Sequence, residues 1–126
     1  MKRVAILAMM LAAPAVAAPP PVGSEDWTLM AEFKDWVEGQ YLPDGRWCCN
    51  VADGRPLFEG EWKQEGDHYR VFIGKRHWPE APDAWMDVPA EKVTGASPIG
   101  LPVAWWAPVK GYPQGVLYCF APVGGV

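Results

Sequence analysis

Apolar residues recur at three- and four-residue spacing between Ser24 and Glu38 and then, from Leu57 onward, at two-residue spacing, so the chain predicts one amphipathic helix followed by strands. Ser24 supplies a side-chain acceptor for orphan amides, and Glu25 and Asp26 place negative charge at the positive helix end. Trp27, Met30, Phe33 and Val37 form the predicted apolar stripe, and Gly39 stands where a left-handed cap would end the helix. Pro43-Asp44-Gly45 predicts a tight turn within residues 41–47, leading into Cys48-Cys49. Residues 57–63 and 68–74 predict a hairpin around Gln64-Glu65-Gly66-Asp67, with Tyr69, Val71 and Ile73 alternating with polar neighbours. A third strand covers 84–88 and stops at Pro89, which cannot donate to a ladder. Residues 102–108 and 115–120 predict a second hairpin, joined by Lys110-Gly111-Tyr112-Pro113.

The expected architecture is α+β, with the N-terminal helix on a small antiparallel sheet of about five strands that curls toward a barrel because hairpins follow one another. The helix stripe should cover a sheet face bearing Tyr69, Val71, Ile73, Val103 and Leu117. Upstream, Lys2 and Arg3 precede the apolar run 4–16 and the small-x-small site Ala15-Val16-Ala17, which reads as a cleavable signal peptide over residues 1–17. That run is shorter than the ~20 residues a membrane-spanning helix needs, so no transmembrane anchor is expected. Pro19, Pro20 and Pro21 favour an extended tether over residues 18–23, leaving residues 24–126 as one small globular domain. The expected location is periplasmic or secreted.

Composition narrows the partners. The chain has a formal charge of −4, and loss of Lys2 and Arg3 makes it more negative, which opposes nucleic-acid backbones and anionic lipid. All eight Trp lie beyond the export segment, so aromatic packing should dominate the interior. Trp105 and Trp106 are adjacent and must point to opposite faces of a regular strand, so one of them faces outward or into a groove unless both fill the core. With Trp78 and Tyr112 they are the candidate binding residues for an envelope glycan or protein, because flat aromatic faces stack on sugar rings and peptide chains.

Reactive chemistry is thinly supported. His68 and His77 stand in no frame that presents two metal ligands on one face, so no metal site and no cofactor are expected. Ser24 and Ser97 lie in no nucleophile elbow, and a Cys nucleophile would need a positioned His base. Glu59 and Glu61 share a strand face in the pattern acid–base pairs use, but Lys63 continues that face and solvation explains it. No catalytic residue is assigned. Cys48, Cys49 and Cys119 in an oxidising compartment predict a crosslink between two of them and one thiol left over. A thiolate among them is the basis of the alternative reading, a redox or soft-metal-handling protein using the vicinal Cys48-Cys49 pair.

Trp36, Pro43, Cys48-Cys49, Asp53, Arg55-Pro56, Trp85-x-x-Val88-Pro89, Pro98-x-Gly100 and Leu117-x-Cys119-Phe120-x-Pro122 together resemble a family of small exported bacterial proteins without an established activity. The resemblance implies a periplasmic address and a disulfide-bearing fold. That family carries two further cysteines, at the positions of Gly54 and of the Trp105-Trp106 strand; their joint absence implies that they pair with each other, leaving Cys119 to pair with Cys48 or Cys49. The function expected from the sequence is a non-enzymatic binding or structural module with a Trp-rich surface.

Overall fold

A computed structural model describes residues 20–48 and 54–124; the expected signal peptide 1–17, the start of the expected 18–23 tether and Cys49 lie outside the described residues. Helix α1 spans Glu25–Glu32 and α2 spans Lys34–Glu38. The strands are β1 Gly54–Pro56, β2 Trp62–Glu65, β3 His68–Ile73, β4 Ala84–Val88, β5 Val103–Val109 and β6 Tyr112–Ala121, with a 3-10 turn at Ala90–Lys92. The expected single sheet of about five strands is instead two antiparallel three-stranded sheets, ordered β1-β5-β6 and β2-β3-β4, and no barrel closes. Both expected hairpins form, β2 with β3 and β5 with β6, but the first strand begins only at Trp62 and not at Leu57, and it runs through Gln64 and Glu65 so that the turn is Gly66-Asp67; β4 pairs with β3 from Tyr69–Val88 to Ile73–Ala84.

Strand β5 explains the layering. Ala104 and Trp106 pack into a cluster with Leu57, Val71, Ile73 and Trp78, whereas Val103 and Trp105 pack into another with Met30, Val37 and Cys119. The β1-β5-β6 sheet therefore lies between the helices and the second sheet. Trp105 and Trp106 do join opposite clusters, but both faces are covered and neither ring is exposed, which corrects the expectation of an outward indole. Gly115 permits this packing: a Cβ there would lie 2.3 Å from the Trp106 ring, and its φ of 68° is one a side chain rarely adopts.

The helix stripe is also corrected. The chain breaks at Phe33, whose φ of −107° and ψ of 23° separate α1 from α2 and shift the phase of the later residues. Met30 and Val37 are buried, but Trp27 is 39% exposed and Asp26, four residues before Met30 on the same face, turns inward. Tyr69, Val71, Ile73 and Leu117 belong to the cluster between the sheets, so of the expected sheet face only Val103 meets the helices. Gly39 caps α2 with φ −93°, not the left-handed conformation. Ser24 caps α1 as expected, accepting from the Trp27 N–H at 3.1 Å.

A disulfide joins Cys48 to Cys119 across a sequence separation of 71, tying the segment after α2 to the C-terminal part of β6. Beyond it, Val93 and Ser97 bridge in parallel to Phe120 and Val123 and cover that end of β6.

Candidate functional site

The most concentrated chemistry is a buried charged cluster that no local pattern announces. His77 sits in the turn after β3, where its N–H and that of Trp78 both donate to the Gly74 carbonyl, and its side chain is fully buried. Nδ1 lies 2.6 Å from Asp26 Oδ2 on α1, and Nε2 lies 2.7 Å from Glu61 Oε1 just ahead of β2. Glu61 Oε1 also accepts the Phe58 N–H at 2.7 Å. Arg55 on β1, itself buried, donates Nε to the His77 carbonyl at 2.9 Å and stands 3.9 Å from Asp26 Oδ2. Four segments thus meet at His77, counting its own turn.

The electrostatics follow from the geometry. Carboxylates only accept, so a ring with a carboxylate on each nitrogen is satisfied only as an imidazolium donating twice. Burial opposes that charge, but the hydrogen bonds to Asp26 and Glu61 and their negative charge outweigh it, and the His77 pKa is raised above its ordinary 6.5. With Arg55 the cluster holds two cations against two anions, as a buried polar network requires. The Phe58 ring lies 5.3 Å from the imidazole and carries the Arg76 guanidinium at 4.4 Å on its face. A cavity of about 210 Å³ opens there, lined by Pro21, Ser24, Glu25, Phe58, Arg76 and the edge of the Asp26–His77 pair.

The residues singled out from the sequence fall elsewhere. Trp78, Trp105 and Trp106 are buried; Trp78 and Trp106 meet edge to face with centroids 5.8 Å apart, and Trp106 Nε1 donates to the Gln114 carbonyl at 2.9 Å. Tyr112 is 61% exposed at the start of β6, away from them. His68 is half-exposed beside Asp67 and Asp87, at 3.5 and 3.6 Å. Glu59 is exposed, and Glu61, expected on a solvated face, is instead engaged by His77 and Phe58. Cys48 and Cys119 are buried in their bridge. Among the described residues no group of three or more His, Cys, Asp or Glu is arranged to hold a metal ion, and no helix is long and apolar enough to cross a membrane.

A second feature was partly visible. The turn at Pro43-Asp44-Gly45 folds residues 41–47 into a ribbon in which Tyr41 and Trp47 pair directly across an antiparallel bridge, 57% and 47% exposed. Directly opposed residues project to one side. Trp47 Nε1 donates to the Glu38 carbonyl at 2.7 Å, the Tyr41 carbonyl accepts from Thr94 Oγ1 at 3.0 Å, and the Arg46 Nε meets Asp44 at 2.7 Å. The ribbon ends at Cys48, so the disulfide anchors its base. The equal spacing of two aromatics about one turn was the available signal.

No family model matches the chain, and neither a curated protein nor a solved structure matches it significantly.

Proposed function

We propose that this chain is an exported, non-enzymatic module that binds an envelope glycan through the aromatic ledge of Tyr41 and Trp47. The single observation that carries the reading is that ledge: two large aromatics held side by side and exposed on a ribbon fixed at its base by a disulfide. Flat rings stack on the apolar faces of sugars at little entropic cost when they are already held in place. Asp44 and Arg46, exposed at the ribbon tip, add acceptor and donor groups for hydroxyls beside the rings. The Trp78, Trp105 and Trp106 surface expected from the sequence contributes nothing to this, since those rings are interior.

The non-enzymatic part rests on His77. An imidazole that donates from both nitrogens keeps no lone pair with which to take a proton, so the best-placed candidate base is occupied by its own partners. The thiol-based alternative loses support at Cys48, whose sulfur is bonded to Cys119 and buried, so the vicinal pair is not two free thiols. A periplasmic address is part of the proposal; the disulfide is compatible with it.

Co-sedimentation of the purified protein with isolated peptidoglycan tests the reading. Tyr41→Ala and Trp47→Ala are each expected to weaken binding roughly tenfold, the equivalent of ~1.4 kcal/mol per ring, with melting little changed because both rings are exposed. Tyr112→Ala serves as the exposed aromatic outside the ledge and should bind as the wild type does. No binding by the wild type, or undiminished binding by both ledge variants, contradicts the proposal.

A further inference from the structure

From the four segments that meet at His77, we infer that the protein carries a proton-operated latch: helix α1 is docked while His77 is an imidazolium and is released from the sheets when that proton is lost. The latch acts on α1 and not on the aromatic ledge, so it stands or falls separately from the proposed glycan binding.

The attachment of α1 is thin on the apolar side. Asp26 and Met30 are its only buried residues; Trp27 faces outward, and Leu29 is half-buried. One apolar side chain and one carboxylate therefore do most of the docking. Among the described residues, the charged groups that face His77 are Asp26 from α1, Glu61 from the connection ahead of β2, and Arg55 from β1. Glu25 and Arg76 stand around the adjoining cavity, Arg76 over the Phe58 ring.

A neutral imidazole has one N–H and one lone pair. At these distances, loss of the proton would set a lone pair against a carboxylate oxygen no more than 2.7 Å away, and one of the two contacts must open. Glu61 is the better held. Its Oε1 also accepts the Phe58 N–H, its own N–H donates to the Phe58 carbonyl at 3.0 Å, and its carbonyl accepts from the Phe72 N–H at 2.8 Å. For Asp26, the cation next in line is Arg55 Nε, 3.9 Å away and already directed at the His77 carbonyl. Asp26 gives way, and α1 with it. The break at Phe33 supplies the joint, because α2 beyond it stays anchored by buried Val37 and by the disulfide at Cys48. The raised pKa sets the direction: the contribution of the latch is complete below about pH 6.5 and is lost as pH rises through the folded-state value above it.

Amide hydrogen exchange on the purified protein at pH 6 and pH 9, corrected for intrinsic rates, reads the latch. Protection over residues 25–32 is expected to fall at least tenfold at pH 9 while β5 and β6 keep theirs. Equal protection of that segment at both pH values, or loss shared equally by β5 and β6, overturns the inference. His77→Gln should leave α1 weakly protected and insensitive to pH. Asp26→Asn, which keeps the side-chain shape, should likewise abolish the pH response, and an undiminished response in Asp26→Asn overturns the assignment of Asp26 as the released contact.

Discussion

Exchanging Cys119 for serine should cost ~4 kcal/mol, because the bridge closes a separation of 71 residues and its loss returns that loop's freedom to the unfolded chain. For a chain of this size such a loss lowers the melting temperature by roughly 20 °C and approaches the whole stability of a marginal domain. Cys119 is the informative partner to replace, since a Cys48 variant leaves Cys49 one residue away as a substitute thiol. The bridge has a local consequence too. It fixes the segment after α2 to β6 at Cys119, opposite Trp105 of β5, and so sets both the helix layer and the base of the aromatic ribbon. Thermal melts of the oxidised wild type and Cys119→Ser decide the point; melting within a few degrees of each other would show that the bridge is not holding this fold.

Trp106→Ala should destabilise by ~3–5 kcal/mol, the range for removing a large aromatic from a packed interior. The ring is fully buried between the sheets, meets Trp78 edge to face, and fills the space that the missing Gly115 side chain leaves. Collapse into that space is limited, because Leu57, Val71 and Phe120 around it belong to strands or turns already fixed by pairing. Trp27→Ala provides the contrast. That ring is partly exposed and should cost under ~1 kcal/mol, although the stripe pattern places it in the core. Urea unfolding of the two variants separates the layered arrangement from the arrangement expected from periodicity, which predicts a large loss at Trp27.

These two tryptophans also mark how far the sequence could be read. The opposed directions of Trp105 and Trp106 follow from strand geometry alone, and they join different clusters as that geometry requires. Whether a face is open depends on what lies across it, and the second sheet that covers Trp106 is a long-range fact with no local trace. The helix illustrates the complementary failure. Spacing located it, but α1 buries the line of Asp26 and Met30 and leaves Trp27 outward, the chain breaks at Phe33 before α2, and a carboxylate in a first helical turn reads as solvated charge. Hairpin turns were legible because glycine and proline chemistry is local; Gly45 and Gly111 adopt φ of 89° and 86° at the expected bends. The contacts of His77 were not, since Asp26 is 51 residues away and Glu61 is 16 away, and nothing in either neighbourhood records the distance.

One buried residue joins the helix to both sheets: the His77 ring, charged and held between the Asp26 and Glu61 carboxylates, and its backbone carbonyl, which accepts from Arg55 on β1. Nitrogen-15 chemical shifts of the His77 ring, followed from pH 5 to pH 10, measure this directly. Both nitrogens should show the protonated shift at pH 6 and change together only above the ordinary histidine value of 6.5. A ring that titrates at or below that value, or that shows one unprotonated nitrogen at pH 6, would contradict it.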